Sequence, residues 1–462
     1  MDATVDAFGV RPAGTRDMRR QLNSDAKVLG MSTRDACLAL DRDDVLAPLR
    51  AQFDLDVADA GGLVYLDGNS LGPLPRAAAA RVRQVVEAEW GSGLIRSWND
   101  AGWITLAPRI ADKIARLVGA GAGELVVADS TSVNLHKVLS AAIQIAAADS
   151  PSRRIVLSDR TNFPTDLYVA DTLARQHGVE LRLVDADEVA AGITDDTAIV
   201  LLTHVDYRTG RMYDMPAVTR AAHAAGALVI WDLAHSAGAV PVQLHGDPSA
   251  EGAADFAVGC GYKYLNGGPG APAFLWAHPR HIPRMDADGW RQPLAGWFGH
   301  AAPFEFAASY RPAPGSGRFQ CGTPSIVSLA ALECGVDTVL AAETSGGLAA
   351  LRSKSLALTD LFIGLVEQRC AGHGLTVVTP REPRQRGSQV SVAHAAGAHN
   401  IVQALIARGV IGDFRAPDIL RFGFAPLYTR FVDAWDAVDR LVEVLESGEW
   451  REDRFRVRAA VT

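Results

Sequence analysis

The sequence predicts an α/β protein: a mostly parallel sheet flanked by helices, with a second, smaller α/β domain behind it. Three observations carry this. Short apolar runs rich in β-branched residues (154–157, 179–184, 198–202, 227–231 and 255–258) alternate with helical patterns, which is the order of strands joined by helical crossovers. Polar residues suited to hold a ligand recur at the carboxyl ends of these runs, where open sheets of this class bind small molecules. At 462 residues the chain is also too long for one compact core.

Composition narrows the function classes. A net charge of −8 with no basic block argues against nucleic-acid binding. No apolar run approaches the length of a membrane span. The five cysteines, Cys37, Cys260, Cys321, Cys334 and Cys370, are far apart and contain no C-x-x-C pair. Neither a disulfide framework nor a metal site is expected, and a reducing cytoplasm fits best. The first thirty residues carry charge, Gly and Pro throughout and no apolar core segment, so they do not read as a secretory signal. Arg16, Arg19 and Arg20 suit a mitochondrial presequence, but Asp2, Asp6 and Asp17 weaken that reading. The expected division is a disordered leader over 1–30 and an N-terminal segment over 31–75 that packs on the small domain. A large cofactor-binding domain over 76–330, the small domain over 331–450 and a tail over 451–462 follow.

Taken in order, residues 33–53 read as an amphipathic helix pair leading to VYLDGNSLGPLP, a turn-rich loop in which Asn69 and Ser70 are ligand candidates. Residues 77–90 look helical. GLIRSWNDAGWI then brings two tryptophans and an arginine, suited to interdomain packing or to the wall of an aromatic pocket. After a strand at 124–128, Asp129, Ser130, Thr131 and Ser132 crowd a helix start. A helix start offers free N–H groups and a positive dipole end, hence an anion site, although a simple N-cap has the same look. Four capping-type residues exceed what a cap needs, which favours phosphate. Following the strand at 154–157, Pro164 opens a helix, with Phe163 and Asp166 at the junction. Phe163 is either a hydrophobic staple or an aromatic that stacks on a flat cofactor. The strand at 198–202 places Thr203 at its carboxyl end.

The run 226–270 is the chemical centre. Its first strand ends on Asp232, with His235 one turn on, and its second leads to Tyr262, Lys263 and Tyr264 before a Gly/Pro loop. An acid at one strand end and a lysine after the next suit a pyridinium ring. The carboxylate meets the ring nitrogen, and the amine bonds the aldehyde as an imine. Pyridoxal phosphate is the expected cofactor. A nicotinamide-binding domain is disfavoured, because no G-x-G-x-x-G opens a helix after a strand: Gly119, Gly121 and Gly123 precede one instead. Further on, Trp297, Phe298 and His300 cluster, and Thr323 precedes a helix. A long helix at 352–370 leads to the small domain, with strands at 375–379, 389–393 and 419–424 and helices at 401–408 and 432–445. Arg421 lies among apolar neighbours in the last strand. A buried guanidinium needs a carboxylate partner, from a substrate or from a structural salt bridge, and a substrate is the preferred reading.

The motifs YLDGNSLG, GLIRSWN, DSTSVNL, TNFPTD, LLTHVDYRTG, WDLAHSAGAVPV, YKYLNGGPG, GWFGH, CGTP and LRFGFAPLY run from about residue 31 to 450. On these residues the chain resembles kynureninase, most closely its bacterial members, a fold-type-I pyridoxal phosphate enzyme related to the class V aminotransferases. Thr161 departs from the serine common in those relatives. The resemblance implies a large domain with a mostly parallel, seven-stranded sheet. It also implies that Lys263 holds the cofactor as an imine, Asp232 pairs with the pyridine nitrogen and His235 lies near the ring's phenolic oxygen. Phe163 then stacks on the ring, with Asp166 and Thr203 as polar contacts. Thr131, Ser132 and Tyr262 hold the phosphate, helped by Trp297 and Thr323 from the partner of a homodimer. Arg421 grips the substrate carboxylate, and Ser70 and Trp297 shape the substrate pocket. The implied reaction is hydrolysis of the Cβ–Cγ bond of L-kynurenine to anthranilate and L-alanine in tryptophan degradation, with 3-hydroxy-L-kynurenine as a further candidate substrate. Lys263 moves the α-proton and Tyr262 donates a proton to the freed carbon. Two alternatives remain. A cysteine desulfurase or lyase needs a nucleophilic cysteine, for which only Cys321 lies near the site. A non-catalytic cofactor-binding relative has no reason to keep Lys263, Asp232, Tyr262 and Arg421 together.

Overall fold

The structure, a computed structural model, describes residues 33–246 and 252–458, so the expected leader over 1–30 lies outside the described residues. The N-terminal segment opens with the helix Arg34–Asp43, capped by the Thr33 hydroxyl, which accepts from the Ala36 N–H at 3.2 Å. It then runs through a short strand, β1 (Val64–Tyr65).

Seven strands form the central sheet: β2 (Leu125–Val127), β3 (Ile155–Asp159), β4 (Glu180–Val184), β5 (Thr197–Thr203), β6 (Leu228–Asp232), β7 (Phe256–Gly259) and β8 (Phe274–Ala277). Their order is β2-β8-β7-β6-β5-β3-β4. Strands β3 to β7 run parallel, whereas β8 is antiparallel to both its neighbours. Apart from the edge strand β4, the sheet is buried on both faces, so its strands read as continuous apolar runs, yet the pleat still divides them. Val200, Leu202, Val229 and Trp231 enter one core, while Ile199, Leu201, Ile230 and Val258 enter the other. The helix Thr131–Asp149 covers the second face with Leu135, Val138, Leu139, Ala142 and Ile143. Register aligns the carboxyl ends, with Thr203 opposite Asp232 and Asp232 opposite Val258. One rim of the sheet therefore collects the polar strand ends.

A third core belongs to a four-stranded antiparallel sheet in the order β12-β13-β10-β9. These strands are β9 (Thr376–Val377), β10 (Gln389–Ala393), β12 (Asp413–Arg415) and β13 (Ile419–Gly423), and β11 (Val410–Ile411) precedes β12. Strand β1 pairs in parallel with β11, so the N-terminal segment is stitched to this domain. Cys37, Val64 and Leu66 join its core, whereas Leu46, Phe53 and Leu55 join that of the large domain. The helix Ile326–Leu340 still packs in the large core through Leu329, Leu332, Val336 and Val339. The change of core thus falls within the helix Gly347–Arg369, later than residue 330: Leu351 faces the large core and Leu358 the small one. Residues 449–455 form two short turns that bury Phe455 against the small domain.

One helix departs from expectation. After the α-helical Arg76–Gln84 the chain widens into a π-helix over Val85–Gly93. There Glu89 is buried and paired with Arg81 at 2.6 Å, while accepting from the Trp103 indole N–H at 2.7 Å. Leu94 ends this stretch at φ 53°, a conformation unusual for a residue with a side chain.

Candidate active site

The site lies at the rim where β3, β5, β6 and β7 end. Lys263 sits in the loop after β7, its ammonium 6.0 Å from the centre of the Phe163 ring and 5.7 Å from that of Tyr262. Its Nζ makes no hydrogen bond or ion pair among the described residues, so the amine is available for chemistry. Phe163 caps the helix Pro164–His177 and remains 40% exposed, so it does not act as a buried staple. Its ring meets Tyr207 edge-on at 5.2 Å.

Asp232 and Asp166 are both buried beside each other. The Asp232 carboxylate accepts the Ala234 N–H at 2.7 Å. Burial raises the Asp232 carboxyl above its ordinary range, with the Lys263 charge opposing that shift. Burial, and then the Asp232 charge, raise Asp166 much further. Two carboxyls so close cannot both ionise, so they share a proton. Thr203 donates to the Asn162 carbonyl at 2.5 Å and lies 3.4 Å from Asp166, while Asn162 accepts the Phe163 N–H and donates to Ser158. His235 is buried, with Nδ1 3.2 Å from the Gln389 amide oxygen. Burial, reinforced by Lys263 and Arg421, holds its imidazole neutral. The Tyr262 phenol is raised by burial and stays protonated near neutral pH.

The helix Thr131–Asp149 opens at the same rim. Ser130 is the N-cap and accepts the Val133 N–H at 3.4 Å, which leaves the Thr131 and Ser132 hydroxyls for another acceptor. Asp129, held at φ 48°, is neutralised by the buried Lys137 at 2.6 Å, so its charge does not oppose an anion at the helix start. Trp297 donates its indole N–H to Thr323 at 3.2 Å, and both are exposed. No hydrogen bond or ring contact among the described residues links that pair to Lys263 or to the Thr131 helix start.

Arg421, on β13, reaches in from the small domain. It donates Nε to Asp413 Oδ1 at 2.8 Å, Nη1 to the Tyr207 carbonyl at 2.7 Å and Nη2 to Ser70 Oγ at 2.8 Å, and pairs again with Asp413 Oδ2. The salt bridge considered for this residue is therefore present, alongside its Ser70 contact. Sequence reasoning missed Asn162, Gln389, Asp413 and Tyr207. Asn162 stands inside the TNFPTD motif, and its neighbours were the signal. Gln389 carries no local signal, because it reaches His235 from the other domain, whereas Asp413 lies opposite Arg421 in the same hairpin, on a strand too short to be read from its pattern.

Pyridoxal phosphate fits these residues. A proton-sharing carboxyl pair is what a ring N–H bearing positive charge satisfies, and an unpaired amine stands nearby for the aldehyde. A helix start with open hydroxyls suits the phosphate.

Comparison with known proteins agrees. Residues 351–441 match the kynureninase C-terminal domain, and residues 93–254 match the DegT/DnrJ/EryC1/StrS aminotransferase family. A kynureninase of Burkholderia pseudomallei (strain 1106a) is 55% identical over 94% of this chain and 100% of its own. A kynureninase of Pseudomonas fluorescens is likewise 55% identical over 94% of this chain and 100% of its own length. Among solved structures, the fold is similar to a cysteine desulfurase from Thermococcus onnurineus NA1, with a TM-score of 0.71 at 17% identity, covering 87% of this chain and 98% of that one. A C-DES variant with glycine covalently linked to its PLP cofactor gives a TM-score of 0.69 at 18% identity, covering 85% of this chain and 99% of that one. Identities that low establish a shared fold and leave the desulfurase activity with those proteins. By sequence over nearly its whole length, the chain belongs to the kynureninase family.

Proposed function

We propose that this enzyme hydrolyses L-kynurenine to anthranilate and L-alanine with pyridoxal phosphate held at Lys263. The observation that carries the reading is the unpaired Lys263 amine beside the Phe163 ring, with the buried Asp232–Asp166 pair at the same rim. Bound pyridoxal phosphate supplies an electron sink for the charge left on the amino-acid carbons when their bonds break.

The chain's own residues do the rest. Asp232 would accept the ring N–H as a carboxylate, while Asp166 holds the proton that the pair shares. Thr203 and Asn162 fix the Asp166 end of that pair. Phe163 presents its open face to the ring, while Thr131 and Ser132 take the phosphate at the helix start. Arg421 and Ser70 orient the substrate through its α-carboxylate. Lys263 removes the α-proton, and water added to the γ-carbonyl leaves with Cγ as the carboxylate of anthranilate when the Cβ–Cγ bond breaks. Tyr262, kept protonated by burial, donates the proton that the β-carbon needs after Cβ–Cγ cleavage.

A homodimer completes this reading. Trp90, Ile95, Phe304 and Phe306 are 60%, 76%, 65% and 79% exposed, an apolar surface suited to a second copy. Trp297 and Thr323, paired with each other and unlinked to their own chain's site, then serve the partner's phosphate. Five free cysteines suit a cytoplasmic location. The test is direct: L-kynurenine is added to the purified protein and anthranilate fluorescence is followed. Rapid fluorescence growth is expected, with none in Lys263→Ala; turnover by that variant refutes the assignment of the lysine.

A further inference from the structure

The hairpin of β12 and β13 sets Asp413 opposite Arg421, and Arg415 lies two residues further along the same face of β12. The diagonal neighbour on one sheet face is within reach of a long side chain, so both guanidiniums converge on one carboxylate. Arg415 Nη2 lies 2.6 Å from Asp413 Oδ2 and 3.4 Å from Ser70 Oγ. Arg421 bonds the same two groups.

We infer that Arg415 is a second guanidinium of the substrate-carboxylate clamp, held beside Arg421 by the Asp413 carboxylate and the Ser70 hydroxyl that the two share. The inference rests on the reading that Arg421 marks the carboxylate end of the substrate. Donor counting supports it. A guanidinium has five N–H groups, and the four hydrogen bonds of Arg421 leave it one, on Nη1. One hydrogen does not make the two-point contact that carboxylates receive from arginine. Arg415 has what is missing. Its Nε is buried without a hydrogen-bond partner, and its Nη1 has none among the described residues. Its side chain is 33% exposed, against 2% for Arg421, so an incoming anion can reach it.

Charge points the same way. Two guanidiniums face Asp413, and a further buried carboxyl that interacts with all three, Asp67, is pushed up to about 7 by burial and by Asp413, so it offsets them only in part. Burial and Arg421 in turn push the Arg415 guanidinium below its ordinary value. An added anion relieves both strains.

The test compares binding of L-alanine and L-alaninamide, which differ in the carboxylate, to the cofactor-loaded enzyme. The readout is the perturbation of cofactor absorbance, and the measured quantity is the ratio of the two Kd values. The unaltered enzyme is expected to favour L-alanine. Losing one charge-assisted contact in Arg415→Met should cut that ratio by about tenfold to a hundredfold. Arg415→Lys, which keeps the charge, should restore part of it. A ratio unchanged in Arg415→Met but collapsed in Arg421→Met overturns the role of Arg415 and spares Arg421. A ratio unchanged in both, or no preference in the unaltered enzyme, overturns the carboxylate reading itself. Should the Met variant fail to fold, Arg415→Lys and Arg415→Gln decide, and equal ratios in both and in the unaltered enzyme reject the proposal.

Discussion

Asp232 and Asp166 show how burial makes a pair of common residues reactive. Neither would hold a proton near neutrality in water; burial and mutual repulsion force them to share one, and a ring nitrogen is the natural third member. Asp232→Asn keeps the shape and removes the charge. Turnover should fall at least about a hundredfold, since such preorganised charges are commonly worth that much, and anthranilate release measures it. Tyr262→Phe removes the proposed proton donor and the phosphate contact expected of the same hydroxyl. It should lower kcat by about a hundredfold or more with the cofactor at saturation, and weaken cofactor binding in an absorbance titration. At this scale much of the site was legible. Thr203 and Asp232 stand at strand ends, Lys263 in the loop after one, and Asp166 in the first turn of a helix that follows one, positions readable from the apolar pattern. Gln389 was not legible as a site residue, because it lies 154 residues from His235 and only the packed domains bring them together. Asp413 and Arg415 stand close to Arg421 in sequence, but the short strand β12 that carries them has no clear apolar pattern, and Ser70 reaches Arg415 from 345 residues away.

At the scale of elements, the loop carrying Lys263 is held from outside its own domain. The Gly72 N–H donates to the Tyr262 carbonyl at 2.9 Å. A Cβ on Gly72 would lie 2.8 Å from the Lys263 carbonyl and 2.3 Å from Asn266 Oδ1. Gly72→Ala should therefore push the lysine loop away, costing about 1–3 kcal/mol of stability in denaturant unfolding, and lower activity with it. The helices and strands around the site were readable because their apolar periods are clean. The π-helix at Val85–Gly93 was not, since its widening depends on where Arg81 and Trp103 meet the buried Glu89. Strand β8 also escaped notice, because PAFLWA follows a glycine-rich loop and only the six-residue helix Ile282–Ala287 comes after it, too short to mark a crossover.

For the molecule as a whole, buried imidazoles should set the acid limit. Burial, helped by the Arg352 charge, pushes His204 down to about 4. Between roughly pH 6.5 and 4 the unfolded chain then takes a proton that the folded chain refuses, so stability falls as pH falls through that window and is intact above it. The full effect is about 3 kcal/mol, and His204→Phe should flatten the slope of stability against pH across that range. If sites are shared between two copies, mixing Lys263→Ala chains with Trp297→Ala chains should restore activity. Up to about a quarter of all sites are then intact, as random pairing in a two-fold dimer requires; no recovery places each site within one chain. The pairing of β1 with β11 has a further consequence, for synthesis. Residues 64–65 wait for residues 410–411, so the ribosome must add 346 amino acids before each pair of this seam can close, about 20 to 70 seconds at ordinary elongation rates. Until then Ser70 has no Arg421 to meet. A nascent large domain can gather its lysine and acids early, but the proposed grip on substrate would form only as translation nears its end, which would keep a half-made chain from acting as an enzyme.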